Sequence, residues 1–301
     1  HKCCEIAQLQ IKAGAKGITA SRLHEVETMV SCGINDIFLA YPIVGKAALN
    51  LYRKLNKQCQ LIVAVDSIFH LESLLDAAES SAPAKIRIEI NSGQNRCGIL
   101  PDSKDIKRIC DFLHRHNDKF LVNGVFTHPG HAYGCSNFEQ IKKVAVNEEA
   151  SVIEAADRIR KQGFDLPEIS VGSTPTAMMI CNSRITECRP GNYVFFDAIQ
   201  LANGTCRLES CAFTVVSSVI GVYSDHLVID AGSKALGLDK GAHGIGLVKG
   251  YGKILGFKEL QISSLSEEHG IVKFSPSQKI PGPGELIEIV PNHSCAAANM
   301  F

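Results

Sequence analysis

The chain carries no surplus of charge of either sign: 31 lysines and arginines stand against 31 aspartates and glutamates among 301 residues. That balance gives no sign of the net basic excess of a nucleic-acid binder or an anionic-membrane adapter, so neither partner is expected. No apolar run approaches the roughly 20 residues of a membrane span. Low-complexity tracts and fixed-period repeats are absent too, which sets aside linkers and repeat architectures. Twelve cysteines are present, yet none forms a CxxC pair or a compact disulfide-like spacing. Several, such as Cys32 and Cys181, sit in apolar segments where cysteine acts as a small hydrophobe. This usage predicts free thiols in a reducing compartment, hence a cytoplasmic protein. There is no initiator Met and no signal-like segment. The opening HKCCEIAQLQ is already close to an amphipathic helix, which predicts an internal piece of a longer polypeptide.

What is present is an ordinary globular mixture, 45% hydrophobic and 21% charged. Up to about residue 205, apolar strands alternate with helical stretches. Strands are expected at 15–21, 36–44, 61–66, 85–91, 122–127, 168–172 and 192–196. Helices are expected at 23–32, 46–56, 68–79, 103–116 and 137–162. Repeated βα units with near-continuous apolar strands mean a parallel sheet with helices outside. Seven strands, with one more before His1, predict a TIM-type (β/α)8 barrel whose first strand is missing. A doubly wound open sheet would usually carry a glycine-rich first turn, and none is seen. Residues 206–301 change character: short β runs at 208–222, 227–230, 246–248, 259–263, 271–274 and 285–290 are separated by turns such as Pro281-Gly282-Pro283-Gly284. A smaller all-β domain is expected there. The glycine-rich GAHGIGLVKGYG (241–252) has no helix after it and reads as a turn-rich connector rather than a phosphate loop.

In a parallel barrel, chemistry collects at the C-terminal strand ends. Asn91 ends one strand, and the loop NSGQNRCG brings Arg96. His128 ends the next, in FTHPGHAYG, with Tyr133 close by. Ser173, Thr174 and Thr176 follow another in VGSTPT, and Arg189, Gly191, Asn192 and Tyr193 lie in RPGNY. Each has a plain structural reading, STPT as a helix cap and RPGN as a turn. Together, backbone N–H groups and hydroxyls suit a phosphate, and an Arg, a His and a Tyr around it suit a conjugated, ionisable cofactor. At the far end, His293 and Cys295 in PNHSC follow a strand-like run. In a strand, i and i+2 share a face, so the imidazole and thiol are expected to address one space. Alone, two such residues fall short of the three or four protein ligands zinc usually takes.

The strings HKC, AYPIVG, EINSGQNRCG, THPGHAYG, VGSTPT, RPGNYVFFDA, DAGSKALGLDKG and PNHSC occur in this order. Together they resemble the D-serine dehydratase and D-threonine aldolase family, pyridoxal-phosphate enzymes with an alanine-racemase-like barrel and a β domain. The resemblance covers essentially the whole chain. It implies that His128 stacks on the pyridine ring and that Arg96 lies near the phenolic oxygen. It implies that Ser173, Thr174, Gly191 and Asn192 cradle the phosphate, that Arg189 faces the ring nitrogen, and that Tyr133 and Tyr193 line the pocket. The HxC pair resembles the zinc dyad of the dehydratases, where the aldolases show HxD, so His293 and Cys295 are expected to bind zinc.

The implied reaction is β-elimination of D-serine to pyruvate and ammonia. Alternatives on the same scaffold are a D-threonine aldolase and a D-3-hydroxyaspartate dehydratase. A non-catalytic pyridoxal-phosphate-binding protein is a further alternative, against which the β domain and the HxC pair speak. A racemase ranks low, because no motif surrounds Tyr223 or Tyr251. The family carries its Schiff-base lysine as the first lysine of a KTHK-like string, which places it two residues before His1. The chain from His1 onward is therefore expected to be inactive alone. The resemblance also implies a homodimer acting on a small D-β-hydroxy amino acid.

Overall fold

A computed structural model describes residues 2–241 and 246–301. The chain divides into two compact units. One comprises His1–Pro129, Ala145–Gly172 and Met179–Arg189; the other comprises Gly130–Val144, Ser173–Met178 and Pro190–Phe301.

The first unit is built on seven parallel strands in strictly sequential order: β1 (Ile18–Ala20), β2 (Asp36–Leu39), β3 (Gln60–Val65), β4 (Ala84–Glu89), β5 (Phe120–Phe126), β6 (Glu168–Val171) and β7 (Glu187–Cys188). Helix α1 (Cys4–Lys12) precedes β1, and α2 (Leu23–Ser31), α3 (Lys46–Asn56), α4 (Ile68–Leu75), α5 (Asp105–Arg115) and α6 (Phe138–Arg160) connect β1 to β6 in turn. Sequential order with a helix between neighbours is the (β/α) barrel pattern, here with seven staves. β2, β3, β4 and β6 are buried on both faces along most of their length, so alternation is faint there. In β3, Leu61, Val63 and Val65 pack toward the helices with Ile37, Ile86 and Ile88. Ile62 and Ala64 point the other way and join Phe38 and Phe126 in a separate cluster. The second face also holds charge: Arg87 is 3% exposed and Glu89 is 7% exposed, both on β4.

Within the second unit, six antiparallel strands form a sheet in the order β10-β13-β8-β9-β12-β11. They are β8 (Val215–Val222), β9 (His226–Ile229), β10 (Lys253–Ile254), β11 (Gln261–Leu265), β12 (Gly270–Lys273) and β13 (Leu286–Val290). Their alternation is clean, with Val215, Val219, Ile287 and Ile289 buried while Val216, Ile220 and Leu286 face out. Short helices α7 (Thr174–Ala177), α8 (Ala198–Ala202), α9 (Ser233–Leu236) and α10 (Ser294–Ala298) belong to this unit as well.

Several expectations are corrected. Residues 192–196 are not a strand: Asn192–Val194 form a 3-10 turn, and the seventh parallel strand is the two-residue β7. Pro190 and Gly191 end that ladder, and the N–H groups of Phe195 and Phe196 both fold back onto the Asn192 carbonyl, at 2.9 and 2.8 Å. Residues 246–248 form no strand, and 208–210 form a 3-10 turn ahead of β8. The centre of the glycine-rich run, residues 242–245, lies outside the described residues. Nor is the HxC pair in a strand. Pro291 closes β13, His293 is the N-cap of α10, and Cys295 sits in its first turn. Finally, the thiols are not all free: Cys4 and Cys32 are joined in a disulfide, their Cα atoms 5.7 Å apart.

Candidate active site

The first unit gathers polar groups at the ends of β3 to β7. Asp66, just past β3, takes the His70 imidazole at 2.8 Å on one oxygen and the Gly98 N–H at 2.9 Å on the other. The loop carrying Arg96 is built rather than loose. Asn91 Oδ1 accepts the N–H groups of Gly93 and Asn95, at 2.9 and 3.2 Å, and Asn95 takes a left-handed φ of 57°. Gly98, at φ 96°, lies so close to the chain that a Cβ would meet the Asn91 nitrogen at 2.7 Å. The result presents Arg96 to solvent beside the buried Glu89. Glu89 has a carboxylate oxygen within 4.8 Å of ligand atoms of Asp66 and Cys97. Burial pushes its carboxyl up to about 7 against the opposing pull of Arg96. His128, two residues past β5, is half-buried.

Arg189 is held from three sides. Its Nε donates to Ser170 Oγ at 2.6 Å, one terminal nitrogen donates to the Thr127 carbonyl at 2.5 Å, and Glu187 lies 3.5 Å away. Its guanidinium sits over Phe126 and Phe38, at 5.1 and 5.4 Å from the ring centres. Glu187 also takes Arg87 in a two-pronged pair, at 2.5 and 3.0 Å, while Arg87 donates to Asn123 at 2.7 Å. Burial alone would raise the Glu187 carboxyl. The hydrogen bond and charge of Arg87, with Ser170 and Arg189, outweigh it and hold Glu187 below its ordinary range.

The second unit gathers hydroxyls. Ser173 caps α7 in a capping box with Thr176, the two hydroxyls 3.1 Å apart, so the helix-cap reading of STPT is correct. The Tyr133 hydroxyl accepts the Thr174 N–H at 3.3 Å, and the Thr174 hydroxyl accepts the Tyr193 N–H at 3.0 Å. A hydroxyl that accepts a backbone N–H keeps its own proton to give. Tyr133 will not lose that proton near neutrality, because burial lifts its phenol to about 12. Two such O–H groups, close to Gly191 where a side chain would meet open space, are chemically suited to a phosphate. A deeply buried carboxylate of this unit is turned inward. Asp197, 1% exposed, is occupied by Asn192 Nδ2 (2.7 Å), the Ser294 N–H and hydroxyl, and the Gln200 N–H.

His293 and Cys295 meet in this unit although they do not share a strand face. The neighbouring Cys295 thiol, with Asp239 assisting, raises the imidazole to about 9. Asp239 Oδ2 lies 3.0 Å from His293 Nδ1, which leaves Nε2 as the ring nitrogen for a metal. Cys295 Sγ takes a hydrogen bond from Asn192 Nδ2 at 3.5 Å, so a residue of the RPGNY string touches the dyad. An imidazole and a thiol, each with a further partner, form a donor set that fits zinc.

The sequence reading missed Glu89, Arg87, Glu187, Asp197 and Asp239. Arg87 and Glu89 were visible as charges two apart in an apolar strand, and Asp197 as an N-cap before AIQLA. Nothing local marks Glu187 or Asp239.

The family model for the alanine racemase N-terminal domain matches residues 1–198, and one for a serine dehydratase domain matches 212–301. A D-serine dehydratase of Dictyostelium discoideum is 28% identical over 100% of this chain and 82% of its own length. The solved D-threo-3-hydroxyaspartate dehydratase of Delftia sp. HT23 superposes with a TM-score of 0.91 at 30% identity, covering 100% of this chain and 83% of that one. A D-threonine aldolase from Filomicrobium marinum gives a TM-score of 0.90 at 26% identity, covering 100% and 79%.

Proposed function

Since the chain belongs to the alanine racemase N-terminal-domain family, with a serine dehydratase domain following, we propose that it eliminates water from D-serine, giving pyruvate and ammonia with pyridoxal phosphate and zinc. The coarser class, a pyridoxal-phosphate-dependent D-amino acid lyase, is supported by similarity to a D-threo-3-hydroxyaspartate dehydratase, a D-serine dehydratase and a D-threonine aldolase. The observation that carries the finer reading is the His293–Cys295 pair at the start of α10, an imidazole braced by Asp239 and a thiol braced by Asn192.

When bound, pyridoxal phosphate supplies a sink for the electron pair left at Cα. Zinc, when bound, supplies the Lewis acidity that makes a β-hydroxyl a leaving group. The chain's own residues hold and orient. Tyr133 and Thr174 would hold the phosphate through their O–H groups, with Ser173, Gly191 and Asn192 completing its cradle. Arg189, fixed by Ser170, Thr127 and Glu187, is assigned to the ring nitrogen, Arg96 to the phenolic oxygen, and His128 to the ring face. Tyr193 lines the substrate side. His293 and Cys295 hold the metal, and two protein ligands leave positions for water and substrate. A cytoplasmic homodimer completes this reading; among the described residues no helix is long and apolar enough to cross a membrane.

One second reading has support of its own. Similarity to the Delftia enzyme favours the same elimination on a substrate bearing a β-carboxylate. The test is a substrate panel on the complete coding sequence: D-serine, D-threo-3-hydroxyaspartate and D-threonine, with products identified. Pyruvate and ammonia formed preferentially from D-serine support the proposal. Preference for the hydroxyaspartate moves the substrate, and glycine with an aldehyde from D-threonine overturns the elimination.

A further inference from the structure

Asp239 lies 54 residues before His293, in the DAGSKALGLDKG string. It is placed opposite the imidazole by more than one contact. Its side chain reaches His293 Nδ1 at 3.0 Å. Its main-chain carbonyl accepts a hydrogen bond from Asn292 Nδ2 at 2.8 Å, and the same nitrogen donates to the Gly250 carbonyl at 2.9 Å. Asn292 is 2% exposed and immediately precedes His293, so one buried amide sets the carboxylate and the imidazole in register. Gly237 ends α9 with a left-handed φ of 73°. A Cβ there would stand 3.9 Å from Ala296 and 4.0 Å from the Asp239 carboxylate, so this turn is packed onto α10.

We infer that Asp239 is a positioning residue for the metal dyad, fixing the His293 tautomer and ring orientation so that Nε2 presents its lone pair to the metal. The inference rests on the zinc reading of His293 and Cys295. A neutral imidazole has one N–H and one lone pair, and whichever nitrogen meets a fixed acceptor carries the N–H. A carboxylate on Nδ1 therefore assigns the lone pair to Nε2 and makes the imidazole a stronger donor, the usual way in which an outer partner tunes a histidine ligand. Without Asp239 the ring can turn or hold the other tautomer, and part of the population cannot bind. Cys295 keeps its own partner, Asn192, so loss of Asp239 weakens the dyad through the histidine alone.

The experiment measures metal affinity on this chain by zinc competition against a chromophoric chelator. Cobalt(II) absorption reports the ligand set. The forms compared are the parent, His293→Ala, Asp239→Ala and Asp239→Asn, each checked for native far-UV circular dichroism. The parent should bind one zinc and His293→Ala should lose it. Asp239→Ala should bind about 10–100-fold more weakly with weakened cobalt bands, and Asp239→Asn, which keeps a neutral acceptor, should fall between. A parent that binds zinc, with both Asp239 variants folded and within about twofold of it, overturns the inference and leaves the dyad standing. A parent that binds no zinc, or a His293→Ala variant that binds as the parent does, overturns the dyad itself and the inference with it. Should Asp239→Ala fail to fold, Asp239→Asn decides: weaker binding supports the inference and unchanged binding refutes it.

Discussion

Replacing Glu187 with glutamine tests the polar layer that holds Arg189. Glu187 is the carboxylate shared by two nearly buried guanidiniums, whose side chains are 4% (Arg87) and 7% (Arg189) exposed. It grips Arg87 with both oxygens and lies 3.5 Å from Arg189. Glutamine keeps the shape but removes the charge, leaving two buried cations beside Phe38 and Phe126. Breaking a buried pair from one side costs roughly 3–5 kcal/mol, because the remaining charge stays desolvated. For a domain of this size that corresponds to a melting temperature lower by roughly 6–20 °C. The chain has no tryptophan, so far-UV circular dichroism in a urea titration is the natural probe. The effect should depend on pH in a definite sense. Arg87 holds the folded Glu187 below its ordinary value of 4.5, so its stabilisation is present above that value and disappears as pH falls through the folded one. The gap between parent and Glu187→Gln should therefore close in acid. A loss under about 1 kcal/mol at pH 7, or a gap that persists unchanged in acid, would refute this account of the layer.

The other expectations are briefer. Glu89 has a folded value of about 7 against 4.5 unfolded, so its contribution is complete below 4.5 and lost as pH rises through 7. Glu89→Gln should therefore unfold at higher urea than the parent at pH 8, by on the order of 3 kcal/mol, with little difference at pH 4. Equal midpoints at pH 8 would show that Glu89 ionises freely. Tyr133→Phe removes the proposed phosphate donor and strands the Thr174 N–H, so the pyridoxal-phosphate dissociation constant should rise about tenfold or more. Equilibrium dialysis checks this, and unchanged affinity would move the phosphate elsewhere.

The βα rhythm was legible because the helix-facing residues of each strand, such as Leu61, Val63 and Val65, and their inward neighbours Ile62 and Ala64 are all apolar. Such runs stand out between polar helices even without alternation. The seventh strand was not legible, because two residues carry no period. An aromatic run, NYVFF, mimicked a strand while Asn192 was folding the backbone into a turn. The HxC pair was found by its string, and the strand geometry first offered for it was wrong. Pro291 stops the ladder, and a helix start brings the two side chains together instead. The residues that brace the chemistry were hidden for a different reason. Glu187 meets Arg87 across 100 positions and Asp239 meets His293 across 54, so only the folded chain pairs them.

The most direct test of metal-assisted elimination is D-serine turnover by the complete coding sequence, before and after chelation and after adding zinc back. The expected result is keto acid and ammonia released together, lost on chelation, restored by zinc, and not restored in Cys295→Ala. Turnover that persists at the parent rate after chelation, or in Cys295→Ala, would contradict the role given to His293 and Cys295.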